Sequence, residues 1–236
     1  MRVFAMILGI IQARINSDRF PMKVFARFSD GTFVLERVIK QVLNSRLVDK
    51  VIVATNYFSF NSISSFVRSR FSNVEVFSGP DEDVLSRFIS CIDLFDDVDN
   101  VVRITADNPL TCPKYMDLAI SLHVQYGADL THFLGIPLGT GVEVIKSSVL
   151  FKVSELSFDK YDREHVTPYI YKNRYLFRVL EPMFDLGDYQ SCRVTLDTQK
   201  DFELIDLVLS SLEYRVPIFV EDVVSVFERE LVRLNL

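Results

Sequence analysis

The sequence predicts an α/β fold: a mostly parallel central sheet with helices on both faces, in a single domain over residues 1–236. Three observations carry this expectation. Strand-like apolar runs alternate with amphipathic stretches, and a βαβα order builds a parallel sheet. The opening run, Val3–Ile11, is continuously apolar, as suits a strand buried on both faces. With 236 residues, 49% of them hydrophobic and 25% charged, the chain can bury a large core and is too apolar for disorder.

The elements follow in order. After the first strand, Val34, Leu35, Val38, Ile39, Val42 and Leu43 share one stripe of a helix expected over Val34–Ser45. Val51–Ala54 reads as a strand, Ile63–Phe71 as a helix and Val74–Phe77 as a strand. Asp81, Glu82 and Asp83 then precede a helix over Val84–Phe95, where acids suit the N-terminal dipole. Val101–Ile104 is the next strand, and Pro113 opens a helix to Tyr126. The second half is less regular. Gly135, Gly139 and Gly141 surround a turn before the strand Val142–Ile145, and Asp162–Asn173 is helical with a break or start at Pro168. Phe177–Leu180 and Arg193–Leu196 read as strands. Thr198–Leu212 and Val223–Leu234 read as helices, the latter with Val223, Val224, Phe227, Leu231 and Leu234 on its apolar stripe. That stripe suits either the chain's own core or a dimer face.

Charge and cysteine content exclude several classes. Against 26 Lys and Arg stand 32 Asp and Glu, a net charge of −6, which argues against a general nucleic-acid binder but leaves room for a local anion site. Cys91, Cys112 and Cys192 are odd in number and far apart, so neither a disulfide framework nor a zinc site is expected, and a cytoplasmic setting is. Arg2 with the following apolar run mimics a signal peptide, but polar residues follow at once without a small-residue cleavage site. No stretch approaches the ~20 apolar residues of a membrane span.

Four segments carry candidate chemistry. Ligands of open α/β sheets sit beyond the carboxyl ends of strands. The segment Gln12-Ala13-Arg14-Ile15-Asn16-Ser17-Asp18-Arg19-Phe20-Pro21-Met22-Lys23 lies there. Its Arg14, Arg19 and Lys23 suit a polyphosphate, or else belong to a solvated loop. Arg103-Ile104-Thr105-Ala106-Asp107-Asn108-Pro109 also follows a strand, and Asp107 is either a Mg²⁺ ligand or a turn cap. Asp197 is either a second metal carboxylate or the N-cap of the next helix. Asp162–Tyr171 is dense in polar and aromatic groups, and its His165 is either a substrate contact or structural. His123 and His132 join no constellation and read as structural. P-loop, dinucleotide and nucleophile-elbow signatures are absent from the sequence.

Taken together, these segments resemble a known family. They include Ile10–Arg14 with Ser17, Arg19, Pro21 and Lys23, then Leu35–Val38, Val51–Thr55 and Asp83–Phe88. Further along come Arg103–Thr105 with Asp107, Pro109 and Leu110, then Tyr161–Tyr171, and Thr195–Thr198 with Asp201–Glu203. In this order the chain resembles the CMP-Kdo synthetase and acylneuraminate cytidylyltransferase group, most closely its spore-coat-polysaccharide-biosynthesis protein F-like branch. The resemblance implies a Rossmann-like nucleotide-diphospho-sugar transferase fold. It implies transfer of CMP from CTP to a sugar with release of pyrophosphate, Mg²⁺ as cofactor, and a homodimer. By position, Arg14, Lys23 and Asp107 would be catalytic, and Gln12, Ala13, Ser17, Arg19 and Arg103 would join Arg14 and Lys23 around the nucleotide. Asp107 and Asp197 would hold Mg²⁺, with Glu143, Arg163, Glu164, His165 and Tyr169 toward the sugar.

The chain departs from the family loop, which reads Ala-Arg-Met-Gly-Ser-Thr-Arg-Leu-Pro-Gly-Lys. Asn16, Asp18 and Met22 replace Gly, Thr and Gly. Asn tolerates the positive φ that glycine permits, and Met does so poorly. Asp18 adds like charge: at ~5 Å and an effective dielectric of ~20, repulsion is roughly 3 kcal/mol per unit charge. These departures keep a second reading open, a catalytically degenerate relative acting as a binding or assembly subunit. A third is a metal-dependent sugar-nucleotide glycosyltransferase, from the D-x-D spacing of Asp81-Glu82-Asp83, which equally suits a helix cap.

Overall fold

Alternate residues of the first strand, β1 (Met6–Ala13), face opposite sides of the sheet, and both sides are covered. Ile7 and Ile11 enter one core layer, and Leu8 and Ile10 enter the other. This is the physical reason the sequence shows a run there rather than an alternation. The computed structural model describes residues 6–187 and 192–234, with side chains as far as Arg229. The expected strand residues Val3, Phe4 and Ala5 therefore lie outside the described residues, as do the side chains of Leu231 and Leu234.

After β1 come α1 (Val34–Val42), β2 (Lys50–Asn56), α2 (Phe60–Arg68), β3 (Val74–Gly79), α3 (Val84–Ile92) and β4 (Val98–Thr105). Then come α4 (Pro113–Tyr126), β5 (Leu130–Thr131), β6 (Glu143–Lys146), α5 (Ser147–Leu156), α6 (Lys160–His165) and α7 (Pro168–Lys172). β7 (Val179–Leu180), α8 (Gln199–Ser211) and α9 (Val220–Leu234) complete the order. The seven strands are arranged β3-β2-β1-β4-β6-β5-β7. β1 to β4 are parallel, and β6 runs against its neighbours β4 and β5. The mostly parallel sheet expected from sequence is thus present.

Leu35, Val38 and Ile39 of α1 and Met116, Ala119 and Ile120 of α4 pack in the same layer as Ile7 and Ile11. Leu85 and Phe88 of α3, Leu150 and Val153 of α5 and Ile170 of α7 cover the other face. A third cluster joins Ile205, Val208 and Leu209 of α8 to Val223 and Val226 of α9, over Phe28 and Leu196. The described part of α9 therefore packs on the chain's own core.

Several expectations are corrected. β1 extends through Gln12 and Ala13, because β2 and β4 pair with Gln12 on both sides. One expectation holds: the helical stretch Asp162–Asn173 is broken into two short helices, the second starting at Pro168. Buried Val166 breaks them at φ 72° and ψ −52°, with Thr167 N–H donating to the His165 carbonyl at 2.9 Å. That is a γ-turn of the strained hand. Arg193–Leu196 is extended but joins the sheet nowhere, since Val194 and Leu196 hydrogen-bond the loop carbonyls of Leu138 and Asp107. The strand over Phe177–Leu180 is only Val179–Leu180.

Candidate functional site

The carboxyl ends of β1 and β4, with Val84 and Arg87 of α3, open on a cleft of about 690 Å³, within the range of small-molecule sites. Gln12, Ala13, Arg14, Ser17, Arg19, Lys23 and Arg103 all line it, as do Asp107, Asp197, Glu164 and His165. Parallel strands are the cause, since every loop leaving β1 and β4 emerges on one edge.

At its centre, the Lys23 ammonium donates to Asp107 Oδ2 at 2.8 Å and to the Leu196 carbonyl at 2.7 Å. Asp197 Oδ1 lies 3.6 Å from the same nitrogen. Arg19 donates to Asp197 Oδ1 at 2.6 Å, and Arg193 pairs with its other oxygen. Asp107 Oδ1 accepts from the Thr105 hydroxyl at 2.5 Å. Neither carboxylate caps a turn or helix. The cap of α8 is Thr198, whose hydroxyl accepts from Asp201 N–H while the Asp201 carboxylate accepts from the backbone of Asp197 and Thr198. Asp197 is thereby left to face Lys23.

The loop's own conformation follows from its hydrogen bonds. Ser17 and Met22 N–H both return to the Ile15 carbonyl, so the segment folds back and presents Lys23. Met22 takes φ 60° and ψ 17°, so this position does use the left-handed conformation. Asn16 is not among the positive-φ residues; its side chain instead accepts from Asn56 at 3.0 Å. Asp18 lines the cleft, and Arg19 pairs with Asp197 rather than with it.

A second, smaller cavity of about 170 Å³ adjoins the cleft and shares Arg103, Thr105 and Leu138 with it. Glu143 and His132 line it. Arg103 bridges the two, donating to Gln12 Oε1 at 3.1 Å and to Glu143 Oε2 at 2.6 Å. The Tyr171 hydroxyl donates to Glu143 Oε1 at 2.8 Å and lies 3.0 Å from His132 Nδ1. Burial, then the Glu143 carboxylate, push the Tyr171 pKa up, so the phenol keeps its proton. Thr167, on the far side of the γ-turn from His165, donates to Glu143 at 3.3 Å. Gly139 lets this wall close: at φ 105°, a Cβ there would sit 2.7 Å from the Thr195 nitrogen.

Two expected residues are placed elsewhere. Arg163 binds the Asp83 carboxylate at 2.7 Å and the carbonyls of Ser154 and Ser157, joining α6 to α3. Tyr169 packs its ring edge-on to Phe177. Neither lines the cleft. The D-x-D carboxylates part as well: Asp83 caps α3 through Ser86 N–H, whereas Asp81 accepts from Asn56. Thr105, Thr195 and the buried Arg87 also line the cleft; the segments that carry the family resemblance include all three, without a role for any of them.

Among the described residues, no group of three or more His, Cys, Asp and Glu side chains could hold a metal. Two carboxylates on one ammonium are nonetheless the donor set that Mg²⁺ takes when phosphate oxygens and water supply the rest. Among the same residues, no helix is long and apolar enough to cross a membrane.

A cytidylyltransferase family model matches residues 8–226. The chain is 31% identical to the Bacillus subtilis spore coat polysaccharide biosynthesis protein SpsF, over 94% of each chain. It is 39% identical to an uncharacterized protein of Methanocaldococcus jannaschii, covering 84% of this chain and 81% of that one. A solved cytidylyltransferase structure from Leptospira borgpetersenii superposes with a TM-score of 0.86 at 25% identity, covering 96% of this chain and 95% of that one.

Proposed function

The chain belongs to the cytidylyltransferase family, and from that premise we propose that it transfers CMP from CTP to a sugar, making an activated sugar for a surface polysaccharide or glycan. One observation carries the reading: Lys23 joins Asp107 and Asp197 in the cleft that Arg14 and Arg19 also line.

The acceptor's hydroxyl oxygen bonds to the α-phosphorus while the bond from that phosphorus to the bridging oxygen breaks; pyrophosphate leaves with that oxygen, and the hydroxyl proton passes to water. Arg14, Arg19 and Lys23 neutralise the triphosphate and the charge that grows on the leaving group. Asp107 and Asp197 would hold Mg²⁺, which when bound supplies charge neutralisation at the phosphoryl oxygens. Gln12 and Arg103 carry the nucleotide side to Glu143, and Glu143, Glu164 and His165 face the acceptor. The protein's main contribution is to position the two substrates and exclude alternatives. Pyrophosphate release from CTP with a panel of sugar acceptors tests this, and Asp107→Ala is expected to abolish it. Full turnover by that variant would refute the role given to Asp107.

Asp18 favours one alternative, a binding subunit without turnover, because its carboxylate lies in the cleft and Arg19 is engaged by Asp197. Under that alternative Asp18→Thr creates CTP binding that the native chain lacks. Tight CTP binding by the native chain removes it.

A further inference from the structure

Arg87 of α3 is a buried cation that the mechanism above leaves unused. It is 3% exposed, yet it borders the cleft. Its Nε and NH1 atoms have no hydrogen-bond partner among the described residues. Arg37, equally buried, also leaves its Nε unpartnered, but its other two nitrogens are settled: they donate to the Tyr214 and Arg215 carbonyls at 2.8 and 2.5 Å, and NH1 lies 3.8 Å from Asp30. Arg87 has no such set. A guanidinium taken from water without acceptors is unfavourable unless a ligand supplies them.

The backbone is built to let it through. A Cβ on Gly79, the last residue of β3, would lie 2.6 Å from Arg87 Cγ. Only a residue without a side chain leaves room for the stem to pass into the cleft. Burial lowers the Arg87 pKa, the Asp81 carboxylate raises it in part, and Arg14 lowers it to a smaller extent. Arg14 lines the same cleft, 3.8 Å from Glu164, so the dry and unpartnered Arg87 is the cation there that still lacks an anion.

We propose that Arg87 is a substrate ligand that closes, beside Arg14, on an oxyanion of the molecule in the cleft, and that a phosphate oxygen of the nucleotide is that oxyanion. The phosphate assignment follows from the neighbours, since Arg14, Ser17, Arg19 and Lys23 belong to the same loop and line the same cleft. The identity of the nucleotide rests on the cytidylyltransferase reading, whereas the presence of an anion site does not.

The test is a thermal-shift and calorimetric titration of the full chain, native and as Arg87→Lys, Arg87→Met and Gly79→Ala. The probes are inorganic triphosphate, CTP with Mg²⁺, and the sugar acid 3-deoxy-manno-octulosonate. Arg87→Met is expected to match or exceed the native melting temperature without ligand, because it removes a dry unpaired charge. It is expected to weaken triphosphate and CTP binding about tenfold or more, as loss of a charged hydrogen-bond donor does. Arg87→Lys falls between, and Gly79→Ala weakens binding from outside the cleft. If Arg87→Met does not fold, Gly79→Ala decides by the same criteria. Weakened binding of the sugar acid alone would overturn the phosphate assignment. Native-like binding of triphosphate and CTP by the variants would overturn the proposal and leave the cytidylyltransferase reading standing. A native chain that binds none of the probes overturns both.

Discussion

Met22 holds a left-handed conformation in the loop that presents Lys23, with its side chain 47% exposed. For a residue with a Cβ this costs roughly 1–2 kcal/mol. Glycine there would relieve it and lose roughly 0.5–1 kcal/mol in chain entropy. Met22→Gly should therefore net up to about 1.5 kcal/mol and raise the melting temperature by up to roughly 6 °C, read in a ligand-free thermal melt, and a fall would contradict the strain. At this scale the charges were legible in the sequence, because cations and carboxylates after parallel strands have one edge to go to. The role of Arg87 was not: it lies within the quoted segment Asp83–Phe88, but on the buried face of α3 among Leu85, Phe88 and Cys91, where apolar periodicity gives a cation no function. Asn16 and Met22 both stand where the family loop has glycine, a residue that permits positive φ. The hydrogen bond from Asn56 and the Ile15 carbonyl hub assign that conformation to Met22 alone.

The long parallel strands and the amphipathic helices were legible as elements, since both faces of one and one face of the other are buried. Two elements were not. β5 has two residues, too few for any periodicity, and α5 buries Val149, Leu150 and Val153 but leaves its other apolar residues Phe151 and Leu156 exposed, so its pattern marks no single face. Arg193–Leu196 has strand-like composition but bonds to loops, and composition does not distinguish the two. The joint of α3 and α6 is open to experiment. Asp83 caps α3 and pairs with Arg163, so Asp83→Ala should lower the unfolding free energy by about 1–3 kcal/mol in urea titrations. Asp83→Asn, which keeps a capping oxygen, should lose less than half of that. α4 carries a pH response. His123, 2% exposed, bonds to Thr131 at 2.9 Å and Asn100 at 3.1 Å, and burial lowers its pKa to about 4. The unfolded chain binds that proton near pH 6.5, so protonation favours unfolding. His123 therefore leaves stability intact above about pH 6.5 and removes up to roughly 3 kcal/mol as pH falls toward 4. Urea midpoints at pH 7 and pH 4.5 should differ more in the native chain than in His123→Gln.

For the whole molecule, sheet order decides what can meet. With β1 between β2 and β4, the loops after β1 and β4 converge, and the extended Cys192–Asp197 segment closes the same cleft from α8's side. That convergence brings residues as distant as Lys23, Asp107 and Asp197 to one ammonium, and the family relationship gives it a reaction. Nucleotide selectivity is the property that follows most directly. In a thermal-shift titration with Mg²⁺, CTP at ~100 times its dissociation constant should stabilise the chain by roughly 2.7 kcal/mol, a rise of roughly 5–11 °C. We expect that rise with CTP, much smaller ones with ATP, GTP and UTP, and a loss of Mg²⁺ dependence in Asp107→Ala. No rise with CTP, or the same rise with all four nucleotides, would contradict the assignment of this cleft to CTP.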